Sequence, residues 1–128
     1  MSTTSTTIAD PLGTKLIIDG AATSAAELNV TGAAGTLYQC EIDNTLNKNP
    51  VYLKISDSAT GATAGTTAPD WQFHVPSGTN ITYVMPTGVP FAVGLSFWCV
   101  TSPSTLTATD ANATTSPASD VVVKILCT

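Results

Sequence analysis

Val51, Leu53 and Ile55 fall on one side of the segment "VYLKIS", and Tyr52, Lys54 and Ser56 fall on the other. This two-residue alternation is the mark of a β-strand with one face on a core. "DWQFHVP" repeats it, with Trp71, Phe73 and Val75 inward and Gln72 and His74 outward. In "VPFAVGLSFWCVT" the inward set is Phe91, Val93, Leu95, Phe97 and Cys99, opposed by Ala92, Gly94, Ser96, Trp98 and Val100. "DVVVKILCT" places Val121, Val123, Ile125 and Cys127 together. With "TKLIID", "AELNV", "GTLYQCEID" and "NITYVM" the chain has about eight strand-like segments, and no stretch carries an apolar stripe at helical spacing. Asp19-Gly20, Asn49-Pro50, Ser77-Gly78 and Thr87-Gly88 sit where apolar runs end and read as turns. The pattern predicts an all-β protein, a single antiparallel β-sandwich, because most strands keep one apolar and one polar face.

Three stretches depart from the alternation. Residues 1–12 form a Ser/Thr-rich leader, expected as an N-terminal arm ahead of a sandwich domain over residues 13–128. Its Ile8, Pro11 and Leu12 are candidate contacts with a neighbouring subunit. Residues 102–119 are polar and too long for a hairpin turn, and Leu106, between Thr105 and Thr107, marks a candidate edge strand and interface position there. "ISDSATGATAGTTAP" connects two core strands through small residues, which let it lie close to a neighbour.

Composition narrows what such a sandwich is for. At 128 residues the chain can bury one core without covalent staples. Charged residues make up 10% of it, well below the roughly 25% usual in soluble domains, and Thr, Ser, Ala and Gly take their place. A surface of small neutral side chains costs little to desolvate and orders few rotamers when covered, which suits assembly. The net charge is -5, from nine acids against Lys15, Lys48, Lys54 and Lys124 with no arginine, so phosphate recognition is not expected and neither nucleic acid nor an anionic membrane is an expected partner. No apolar run approaches the roughly 20 residues that span a bilayer, and the N-terminus lacks the basic and apolar regions of a secretory signal, so synthesis in a cytoplasm is expected.

Candidate chemistry is sparse. His74 is the lone histidine, points outward on the alternation, and has no nucleophile motif near it. The carboxylates are scattered. "DNTLNKN" has the oxygen content of a calcium loop without its glycine or terminal glutamate, and reads as a connection between strands. "GAAG" and "GATAG" lack the lysine of a phosphate loop. Cys40, Cys99 and Cys127 are odd in number and lie in strands; reduced packed thiols are the first expectation and one bridge between strands the second. Three Asn-X-Thr triplets match the glycosylation pattern, as chance allows in a Thr-rich chain. The expectation is therefore no enzyme, no cofactor and no metal. Tyr52 and Trp98 are the local features that point to a surface: aromatics on the outer face of their strands serve as sugar platforms or as anchors of a subunit interface.

From Pro50 onward, "PVYLKISDSATGATAGTTAPDWQFHVPSG", "MPTGVPFAVGLSFWCVT" and "SDVVVKILC" resemble small β-sandwich virion proteins of tailed bacteriophages. The match lies in Leu53, Lys54 and Ile55, in Thr67, Ala68 and Pro69, in Val75, Pro76 and Gly78, and in Gly88, Phe91, Gly94 and Leu95. The resemblance implies a non-enzymatic structural role in a virion assembled in the host cytoplasm. Capsid decoration is favoured, with the major capsid protein or other virion proteins as partners and a homo-oligomer, such as a trimer, as the assembly unit. A tail or fibre component and a carbohydrate- or receptor-binding adhesion module are the alternatives.

Overall fold

A computed structural model describes residues 13–103 and 114–128 of the chain. Its strands are β1 (Lys15–Asp19), β2 (Gly35–Asp43), β3 (Val51–Asp57), β4 (Trp71–Val75), β5 (Asn80–Phe91), β6 (Leu95–Val100) and β7 (Val122–Cys127). They form two antiparallel sheets, β1-β7-β2-β5 and β4-β3-β6, packed face to face as a sandwich. The expected arm, residues 1–12, and Leu106 lie outside the described residues.

The core is built as the alternation requires. Leu37, Cys40 and Ile42 of β2 and Val123, Ile125 and Cys127 of β7 meet Val51, Leu53 and Ile55 of β3 and Leu95, Phe97 and Cys99 of β6, all fully buried. Each large side chain among them contributes about 1.5–3 kcal/mol by leaving water. Trp71 and Phe73 close one side of this layer half-buried.

Four expectations need correction. "AELNV" is no strand. Residues 23–30 run along the outer edge of β6, where Glu27 and Phe97 exchange backbone hydrogen bonds of 2.8 and 3.0 Å, and single bonds link Val30 to Leu95 and Cys99 to Thr23. The segment 89–101 is not one strand either. Asp57 draws the chain into a turn at residues 92–94, so Phe91 ends β5, Leu95 starts β6 in the other sheet, and Val93, expected inward, is 49% exposed. Thr87-Gly88 is not a turn between strands. It lies within β5, where the pairing with β2 shifts register opposite Tyr38. Gly88 has φ +75°, and a side chain there would overlap Thr36 and Tyr38, so the position requires glycine. Pro86 and Pro90 are tolerated because β5 is an edge strand.

The fourth correction concerns the three-stranded sheet, whose second face was expected to be polar and open. On β3 and β6 that face carries Lys54, Ser56, Ser96, Trp98 and Val100, and all five are buried. The small-residue connectors fold back over it. Ala26 from the β1–β2 connection and Ala62 and Ala64 from the β3–β4 connection pack on Trp98 and Val100. The Ser96 hydroxyl ties both connectors down, accepting from the Asn29 N–H at 2.9 Å and donating to the Ser58 carbonyl at 2.8 Å. The segment 58–70 is thus a long hairpin connection that doubles as a cover.

Candidate interaction surface

Sealing of the three-stranded sheet leaves, among the described residues, the outer face of the four-stranded sheet as the open one. Strand pairing sets its rows. Leu16, Leu126, Gln39 and Val84 lie side by side across β1, β7, β2 and β5, followed by Ile18, Lys124, Glu41 and Thr82, and then by Val122, Asp43 and Asn80. Leu16 is 61% exposed, Ile18 59% and Val84 55%. Lys124 contributes to holding the Asp43 carboxyl below its ordinary range, after the larger effect of hydrogen bonds from the Thr45 hydroxyl at 2.6 Å and the Thr45 N–H at 3.0 Å. The Asn80 amide donates to Glu41 at 3.3 Å. The lateral strands carry exposed apolar side chains and the central strands mix Leu126 and Val122 with Gln39, Lys124, Glu41 and Asp43, a layout that fits contact with another protein surface.

Sequence reasoning assigned "TKLIID" as a strand but did not single out Leu16, Ile18 or Val84. The available signal was the run Leu16-Ile17-Ile18, which puts apolar side chains on both faces of one strand. Of the interface positions expected from sequence, Ile8, Pro11, Leu12 and Leu106 lie outside the described residues. Trp98 is corrected: it is 1% exposed, covered by the chain's own alanines, and forms no open platform. Tyr52 is half-buried beside the exposed His74, with ring centroids 5.1 Å apart and planes tilted by 36°. The two aromatics are therefore not brought together as a binding pair.

The loops at the ends of the sandwich spend their polar groups on structure. In "DNTLNKN", the Asp43 carboxylate closes a turn onto Thr45, and the buried Asn44 amide reaches the carbonyls of Asn49, Val75 and Pro76 at 3.0, 3.3 and 3.2 Å. Asn47 and Ser119 bond reciprocally, at 3.0 Å from the Asn47 amide to the Ser119 carbonyl and 2.7 Å from the Ser119 N–H to the Asn47 side chain. A cleft of about 290 Å³ beside this pair, between Leu46, Val51 and Thr101, has Lys48 as its titratable lining residue. Among the described residues no group of three His, Cys, Asp or Glu side chains is placed to hold a metal ion.

His74 stands exposed at the edge strand β4, its carbonyl accepting the Tyr83 hydroxyl. The three thiols are free and buried. Burial first, and the neighbouring Cys127 second, push Cys40 up to about 12, and burial pushes Cys99 to about 12 as well. A thiol held that far from ionisation is a packing residue and a poor nucleophile. Among the described residues no helix is long and apolar enough to cross a membrane.

What these features define is a two-sheet all-β sandwich in which, among the described residues, one sheet is sealed and the other open. Comparison with protein-family models, curated proteins and solved structures finds no match to any of them.

Proposed function

We propose that this chain is a non-enzymatic structural protein of a virus particle, a decoration protein that cements the head by contacts spanning capsomers of the major capsid protein. It acts as a homo-oligomer, joining particles assembled in the host cytoplasm. The observation that carries the reading is the open outer face of the four-stranded sheet, where Leu16, Ile18 and Val84 stand exposed. Such a face gains free energy when another protein covers its apolar positions, provided that the partner offers polar groups to Lys124, Glu41 and Asp43 on the same face. The virion assignment is supported by the resemblance of the segments from Pro50 onward, and the absence of a local catalytic constellation in the sequence agrees with it.

A sugar-binding role is less well supported, because it needs exposed stacking aromatics and Trp98 is covered by the chain itself. The test is to image the particle that carries this chain and locate its density. Regular copies over the head, each touching several capsid subunits, are the expected result. Density confined to the tail or a fibre would replace decoration with the tail or adhesion role, and absence from purified particles would overturn the virion assignment.

A further inference from the structure

Each sheet of a sandwich has two lateral strands whose unpaired backbone groups must be protected. β6 is protected by residues 23–30 lying along it. β5 carries Pro86 and Pro90 and a register shift, all of which interrupt a template for pairing. β4 lies against β5, whose Tyr83 hydroxyl donates to the His74 carbonyl. β1 has none of these devices. Among the described residues it pairs only with β7, it contains neither proline nor bulge, and it presents Leu16 and Ile18 to water.

We propose that β1 is a homodimerisation edge: two copies pair β1 to β1, antiparallel about Ile17, and fuse their four-stranded sheets into one continuous sheet. This proposal does not depend on the virion reading.

The backbone is in the right phase for it. The Cys127 carbonyl accepts from the Thr14 N–H at 2.9 Å and the Val121 carbonyl from the Ala22 N–H at 2.9 Å, so the odd-numbered residues of β7 turn their backbone groups toward β1. Their register partners Lys15, Ile17 and Asp19 use their own groups inward, and by alternation those of Leu16 and Ile18 face the open edge. Antiparallel pairing about Ile17 sets Leu16 opposite Ile18 of the second copy as a hydrogen-bonded pair, twice by symmetry. The central Ile17 pair is then of the closer, non-hydrogen-bonded kind.

The side chains select the same register. Lys15 falls opposite Asp19 of the second copy, and Asp19 opposite its Lys15, so both ends of the new ladder carry opposite charges. A parallel pairing would set lysine against lysine and aspartate against aspartate. A slip by two residues would place a charged side chain against Ile17. Beside β1 lies a cleft of about 270 Å³ between Ile17, Asp19, Glu27, Val30 and Phe97. Lys15 of the second copy, on the same face as Ile17, arrives next to its two carboxylates. The groups needed are still available: Lys15 Nζ donates one of its three hydrogens to the Thr31 carbonyl at 2.7 Å, and Asp19 uses one oxygen to accept the Ala21 N–H at 3.0 Å. The assembly unit is thus twofold, in place of the trimer suggested from sequence.

The experiment is sedimentation equilibrium of the full chain and three variants from micromolar to millimolar concentration, with circular dichroism confirming that each is folded. The wild type should form a dimer. Lys15→Asp and Asp19→Lys each place like charges opposite one another at both ends of the ladder and should weaken the dimer roughly tenfold or more. The double variant Lys15→Asp/Asp19→Lys restores opposite charges and should recover wild-type dimerisation, although it has lost the bonds to Thr31 and Ala21. A monomeric or trimeric wild type, a dimer indifferent to the single reversals, or a double variant that stays weak would overturn the proposal.

Discussion

Asp57 offers the sharpest test of how the two sheets are joined. Its carboxylate, at the end of β3, accepts the N–H groups of Ala92 at 2.7 Å, Val93 at 2.9 Å and Gly94 at 3.2 Å, and so holds the turn that passes the chain from β5 to β6. Burial by itself would raise its pKa, but these three donors outweigh it and hold the carboxyl below its ordinary value. Hydrogen bonds to a charged group contribute up to about 3 kcal/mol each, yet this carboxylate is partly open to solvent, and about 0.5–1 kcal/mol per bond is the appropriate scale. Asp57→Ala should therefore cost about 2 kcal/mol. Asp57→Asn keeps one acceptor oxygen but turns an amide donor toward a backbone N–H, and should cost about 1 kcal/mol.

The pH dependence carries the sign. A carboxyl whose folded pKa lies below its unfolded value near 3.9 stabilises the fold fully above that value and loses its contribution as pH falls through the folded pKa. Urea unfolding of wild type and Asp57→Ala at pH 7 should differ by about 2 kcal/mol, and the difference should shrink steadily below about pH 4. A loss under about 0.5 kcal/mol at pH 7, or a difference that stays constant down to pH 2.5, would refute the carboxylate clamp.

Trp98→Ala should destabilise the isolated chain by about 3–5 kcal/mol in urea unfolding, because the indole is buried by this chain's own connectors; a loss under about 1 kcal/mol would mean that the covering layer is not formed in solution. A thiol-specific chromogenic reagent at pH 8 should find none of the three cysteines in the native protein and all three in denaturant, since burial holds Cys40 and Cys99 near 12; rapid native labelling would contradict their burial. Gly88→Ala should cost about 2 kcal/mol or more and lower the melting temperature by several degrees, through the positive φ and the overlap with Thr36 and Tyr38; an unchanged melting curve would show that the β5 irregularity relaxes freely.

The alternation of Val51, Leu53 and Ile55, of Leu95, Phe97 and Cys99, and of Val123, Ile125 and Cys127 determined by itself that the protein is all-β and which side chains meet in its core. Period-2 burial is a local property, visible within six residues of chain. What it could not convey is whether the other face of a strand meets water, because that depends on segments far away. Ser96, Trp98 and Val100 look outward by alternation, and only the return of the Ala26 and Ala62 connectors makes them a second buried layer. The division of residues 89–101 between two sheets likewise rests on Asp57, some 35 residues earlier in the chain. The open face was the least legible feature. Leu16 and Ile18 sit in an unremarkable strand, and they stand exposed because tertiary structure puts β1 at the lateral position of its sheet, with no described segment laid over that face.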